Sequence, residues 1–199
     1  MHEFWMTALT DHVHVDAFEP NAILDIGCGE GQWAMEVADI YQDSVVVGVD
    51  VALIQEQKSV PRNCEFYIGN MLDKDLQFRE EPFDLIQSRS MAMAIPDMSW
   101  PTYVEAIHSK MKHEGWVQFI EMEPFRQCRD QSMPSRSYLG EYEKIVHKVM
   151  LNKYGVTLGG LGTRLMEYLE DAGFINIKKE DRITLLGSWT NGRYSSLFY

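Results

Sequence analysis

Residues 23–31 read Ile23-Leu24-Asp25-Ile26-Gly27-Cys28-Gly29-Glu30-Gly31, an apolar run that passes straight into an acidic-x-Gly-x-Gly-x-Gly turn. The run predicts a strand over 22–26 that carries the chain to the tip of a sheet. The glycines at 27, 29 and 31 let the backbone turn tightly and approach a ligand without Cβ clashes. A helical pattern follows over 31–41. A second strand, 44–49, ends in Asp50. An acidic residue about 20 positions beyond the glycines is placed to accept hydrogen bonds from both hydroxyls of a ribose.

The spacing of the turn narrows the ligand. A dinucleotide fingerprint reads Gly-x-Gly-x-x-Gly and sets a pyrophosphate on the helix N-terminus. That spacing is absent here, and two acidic residues, Asp25 and Glu30, flank the turn. A carboxylate repels a pyrophosphate and attracts an ammonium or a sulfonium. The turn therefore suits a ligand with a ribose and a positive charge, for which S-adenosylmethionine is the candidate.

Composition bounds the remaining readings. At 199 residues the chain is long enough for one domain with a real core. Its 30 acidic residues against 18 basic ones give a formal net charge of −12. Neutralising phosphates needs a basic face, so a general nucleic-acid binder is not expected. The three cysteines, 28, 64 and 128, show no zinc spacing, and reduced thiols in an intracellular protein explain them. No apolar run approaches membrane-span length, and no signal peptide is read at the start. A cytoplasmic protein is expected, with the nucleus as a second compartment.

Further strand patterns occur at 64–68, 83–87 and 116–121. A helix is read from 100 to 112, stopped by Gly115. Residues 124–136 hold two prolines and three arginines without a period and read as a loop. Helical patterns resume at 138–153 and 161–172, the second closed by Gly173. A sixth strand is read at 175–180, with a partner at 182–186. Alternating strands and helices predict an α/β, Rossmann-like, doubly wound and mostly parallel sheet of six to seven strands. Residues 1–199 read as one domain, with 1–20 as an N-terminal lid.

These segments resemble the class I S-adenosylmethionine-dependent methyltransferases, and more narrowly the fungal LaeA-like branch associated with secondary metabolism. The resemblance is carried by residues 23–34 and 47–55. It extends through 61–66, 83–89, 115–121, 172–174 and 186–189. It implies S-adenosylmethionine as donor and S-adenosylhomocysteine as product. It implies that Asp25, Gly27 and Gly29 line the methionine portion, with Cys28 and Gly31 also in the cofactor site. Asp50 would hold the ribose and Val51 would lie against the adenine. Asn70 would bond the adenine amino group, Met71 would pack on the ring, and Ser88 and Arg89 would face the transfer site. Two departures stand out. His113-Glu114-Gly115 replaces the usual Pro-Gly-Gly before the fifth strand. The chain also stops at Tyr199, so residues 194–199 either supply a shortened last strand or the sheet lacks one, and an open edge invites a homodimer.

Methyl transfer from a sulfonium is an in-line displacement in which the protein mainly supplies proximity and orientation. A neutral hydroxyl acceptor also profits from a general base. The candidates are His147 in the helical region after the fifth strand, and His12 and His14 in the lid; His108 and His113 read as lying on the far side of the sheet. Met91, Met93, Trp100, Glu123, Phe125 and Tyr138 are candidate walls for a small-molecule acceptor beyond the strand ends. No metal constellation is visible. The alternative is a non-methylating protein of the same fold. It would be either a regulatory partner of another protein or a cyclase or rearrangement enzyme that keeps the pocket.

Overall fold

The apolar run holds the centre of the sheet: β1 (Ala22–Ile26) is buried at all five positions, Asp25 included. The structure is a computed structural model and describes residues 19–52, 60–73, 76, 78, 79, 81–122 and 137–181 of the chain. Pro20–Ile177 form one compact unit, and Met1–Glu19 with Lys178–Tyr199 form another. The sheet belongs to the first.

α1 (Gln32–Ile40) follows the glycine turn, then β2 (Val45–Asp50), β3 (Cys64–Ile68) and β4 (Phe83–Arg89). After a short 3₁₀ turn at Asp97–Ser99 come α2 (Trp100–Ser109), β5 (Met111–Ile120), α3 (Tyr138–Tyr154) and α4 (Leu161–Asp171). The five strands among the described residues run in the order β3-β2-β1-β4-β5, all pairings parallel. Strand order reverses between β1 and β4, and in open α/β sheets ligands bind beyond the strand ends at such a point.

Parallel sheets are covered on both faces, so their strands are nearly all apolar. α1 packs with Trp33, Ala34, Val37 and Ala38 buried. The main core combines Leu24, Ile26, Val47, Val49 and Ile86 with two helical stripes. α2 contributes Trp100, Tyr103, Val104 and Ile107, and α4 contributes Leu161, Leu165 and Leu169. Both stripes follow the three-to-four spacing that puts side chains on one helical face. Each fully buried large side chain is worth roughly 1.5–3 kcal/mol.

Two elements differ from the sequence reading. The helix read to residue 112 ends at Ser109, and β5 starts at Met111, five residues earlier than the strand read at 116. The register slips between Phe83↔Met111 and Leu85↔Trp116. Glu114 takes a left-handed φ of 67° in this bulge. A Cβ on Gly115 would lie 2.9 Å from the Lys112 carbonyl oxygen and 3.2 Å from those of Phe83 and Asp84. Gly115 therefore serves a β-bulge and not a helix stop. The strand expected at 175–180 is not formed. Asn176 adopts a left-handed φ of 58°, which breaks an extended run, and Ile175 is 82% exposed. Residues 182–186 and 194–199 lie outside the described residues, as do residues 1–18 of the lid expected at 1–20.

Candidate cofactor site

The turn after β1 is built from backbone. Gly27 N–H and Cys28 N–H both donate to the Val49 carbonyl, at 2.8 and 3.2 Å, which ties the turn to β2. Gly27, Gly29 and Gly31 all have left-handed φ, at 67°, 55° and 80°. At Gly27 a Cβ would also collide with the Met91 sulfur. At Gly29 it would meet nothing within 4 Å, so the backbone there borders open space. Gly31 opens α1 at its N-terminus.

Asp50 closes the turn from the end of β2. One carboxylate oxygen accepts from Gly29 N–H at 2.9 Å, and the other from Ala52 N–H at 3.0 Å. A carboxylate has about four lone-pair sites. Asp50 thus fixes the loop and keeps acceptor capacity for ribose hydroxyls. Val51, directly after it, is exposed.

Asp25 is 4% exposed, and its Oδ2 has no hydrogen-bond partner. Burial pushes its carboxyl up to about 7, with the Arg89 guanidinium pulling it down and Asp50 pushing it further up. A buried carboxyl in that condition gains from a further cation. Burial also raises the Cys28 thiol to about 12, so the loop cysteine is a protonated, inert thiol.

The other candidates separate into three groups. Met91 joins the glycine turn through its contact with Gly27. Asn70 organises the turn after β3: its Oδ1 accepts from Leu72 N–H at 3.0 Å, and Met71 beside it is buried. Arg89 ends β4 and acts on Asp25. Ser88 points elsewhere. It is fully buried and shares a 2.9 Å hydrogen bond with the Tyr103 hydroxyl of α2, inside the core.

Trp100 is no acceptor wall. It is 1% exposed and packs edge-on against Tyr103, with ring centroids 5.4 Å apart. Met93 is exposed, and Tyr138, the first residue of α3, is 99% exposed. His147 lines an open hollow of about 590 Å³ with Gly140, Glu143 and Lys144, and no residue of the glycine turn borders it. His108 lies against the Phe174 ring at 5.0 Å, a packing role. His12, His14, Glu123 and Phe125 lie outside the described residues.

Sequence reading missed Glu121. It follows β5 and accepts from Met91 N–H and Ala92 N–H, each at 2.9 Å, through its two carboxylate oxygens. Burial raises its carboxyl to about 7, against the pull of those two donors. Glu121 thereby holds the segment that sets Met91 over Gly27. The only sequence signal was an acid ending an apolar strand. Gln87 was missed as well, a polar residue in the middle of buried β4.

Comparison with known proteins agrees with this geometry. Residues 23–115 match the methyltransferase domain family. The chain is similar to a secondary metabolism regulator of Cochliobolus heterostrophus, 29% identical over 96% of this chain and 62% of that protein. It is also similar to a protein-methionine methyltransferase of Emericella nidulans, 30% identical over 77% of this chain and 40% of that one. The chain therefore spans less than two thirds of either relative. Among solved structures, human N-acetylserotonin methyltransferase in complex with its S-adenosylmethionine superposes with a TM-score of 0.59. That likeness covers 88% of this chain and 47% of the human one at 19% identity, and it is one of fold.

Proposed function

From the match of residues 23–115 to the methyltransferase domain family, we propose that this chain binds S-adenosylmethionine and transfers its methyl group to an O, N or C atom of a small-molecule acceptor. One observation carries the reading: the buried Asp25 carboxyl, its Oδ2 without a hydrogen-bond partner, beside a glycine turn whose Gly29 faces open space. The donor carries an ammonium and a sulfonium, charges that favour the ionised form of this carboxyl. Asp25, the backbone of Gly27 to Gly31, Asp50 and Met91 would hold it, with Val51, Asn70 and Met71 toward the adenine. When bound, the donor supplies an already activated methyl group.

The chain's own contribution is placement. Backbone N–H groups and Asp50 fix the loop before any ligand arrives, so little ordering remains at binding. Glu121 holds Met91 against the turn. The partly buried Met91 flanks the turn on one side. Holding donor and acceptor in line is worth roughly 7–11 kcal/mol of barrier, which requires no strong base for a nucleophilic acceptor atom.

A second reading has its own support. The two fungal relatives are a regulator and a protein-methionine methyltransferase. A protein side chain would then be the acceptor, or the chain would act through a protein partner.

Calorimetric titration with S-adenosylmethionine and S-adenosylhomocysteine tests the shared premise. Micromolar binding is expected, weakened about tenfold or more in Asp50→Ala through loss of charge-assisted hydrogen bonds. Absence of binding by the intact chain overturns the proposal. Mass spectrometry of acceptor mixtures then separates the two readings: methyl gain on small molecules supports the first, and gain on protein supports the second.

A further inference from the structure

α3 (Tyr138–Tyr154) is sharply specified at both ends. The Ser137 hydroxyl accepts from Gly140 N–H at 3.0 Å, and Gly155 closes the helix with a left-handed φ of 67°. Between those caps none of its 17 residues is buried, whereas α1, α2 and α4 each bury three or four. Helices in proteins draw most of their stability from packing an apolar face. α3 has such a face and leaves it bare: Tyr138, Tyr142, Ile145 and Val149 are 50–99% exposed. These residues are spaced four, three and four apart, the alternation of a coiled-coil seam. The half-buried Leu139, Glu143, Val146 and Met150 lie on a different face of the helix, so the seam points outward.

The charges beside the seam show what fits it. Glu141 and Lys148 stand seven residues apart on one flank, and both are exposed. Consider a second copy of α3 laid antiparallel, with Tyr142 against Ile145 and Tyr138 against Val149. Glu141 of each helix then meets Lys148 of the other, and two-fold symmetry makes the contact twice. A parallel copy would instead set Lys148 against Lys153, a like-charge contact. The helix dipoles favour the antiparallel arrangement as well. The face is thus complementary to itself.

We infer that α3 is a homodimer interface: an antiparallel helix pair joined through Tyr138, Tyr142, Ile145 and Val149 and keyed by Glu141 and Lys148. It uses a helix face, not an open sheet edge, and does not depend on donor binding. A single helix about 25 Å long offers less than the roughly 800 Å² a side of a standard interface. Dimer and monomer therefore exchange at micromolar concentrations.

Sedimentation equilibrium of the full chain, from about 1 to about 300 μM, tests this. A dimer is expected within that range. Ile145→Glu sets a charge in the centre of the seam and should weaken dimerisation about a hundredfold or more. Because the position is exposed, the variant's melting temperature in dilute solution should match the parent's. Glu141→Lys and Lys148→Glu, each alone, bring like charges together and should weaken self-association about five- to thirtyfold. Mixed in equal amounts, these two variants recover both opposite-charge contacts, so the mixture should dimerise about as well as the parent. A parent that stays monomeric over the whole range overturns the inference. So does a dimer indifferent to Ile145→Glu, which would be formed elsewhere on the chain. A mixture that associates no better than either charge variant alone overturns it too.

Discussion

Asp25 is held protonated by burial near neutrality, at about 7 against an ordinary 3.8. Between those values the folded chain keeps a proton that the unfolded chain has released. The stability of the unliganded fold therefore falls as pH rises from about 4 to about 7. Glu121, raised from 4.5 to about 7, acts with the same sign. A shift of about three units corresponds to at most about 4 kcal/mol. Asp25→Asn removes that burden. Its unliganded melting temperature should exceed the parent's by several degrees at pH 8, with the gap closing toward pH 4. Ligand binding shows the opposite face of the same chemistry. A cationic ligand needs the ionised carboxylate, so parent affinity should weaken as pH falls below about 7, by up to about tenfold per unit. Asp25→Asn should bind weakly and show no such slope. A variant less stable than the parent at pH 8 would contradict this account.

The elements carry their own test in the β5 bulge. Gly115→Ala sets a methyl group against three carbonyl oxygens, of Lys112, Phe83 and Asp84. Backbone cannot yield as a flexible side chain would, so a loss of about 1–3 kcal/mol is expected in urea unfolding. A neutral result would mean that β5 begins near residue 116, as its sequence suggests. The comparison shows where sequence patterns suffice. β1 and β2 were legible because a continuous apolar run ends in glycines or an acid, and α2 and α4 because their apolar spacing is regular. Gly115 misled because a glycine after a helical pattern signals a stop equally well when it serves a bulge. The strand at 175–180 misled because Ile175 and Ile177 alternate, while the left-handed Asn176 between them leaves no mark on that pattern. The glycine turn and Asp50 could be read directly, since their spacing along the chain is the signal. The Ser88–Tyr103 bond and the hold of Glu121 on Met91 and Ala92 could not. Each joins residues from different elements, and sequence alone does not show which side chains meet across a sheet.

At the scale of the whole molecule, Asp84 stitches the three strands on one side of the site. Its carboxylate accepts from Asn21 N–H and Ala22 N–H, at 2.9 and 2.8 Å, and from Lys112 Nζ at 2.8 Å. Burial opposes its ionisation, yet the Lys112 ammonium and the two backbone donors hold its carboxyl below the ordinary range. Asp84→Ala leaves two amides without their acceptor, and a loss of about 2–4 kcal/mol is expected, measured by denaturant unfolding. The strand order has a further consequence during synthesis. β1 and β2 leave the ribosome early and pair at once, but the other edge of β1 waits for β4, with residues 27–82 in between. Until then the nascent chain presents a bare strand edge, apolar at every position but Asp25, the kind of surface that recruits other chains. Chains interrupted before residue 83 should accumulate as aggregates, and those completed slowly should depend on chaperones for their yield.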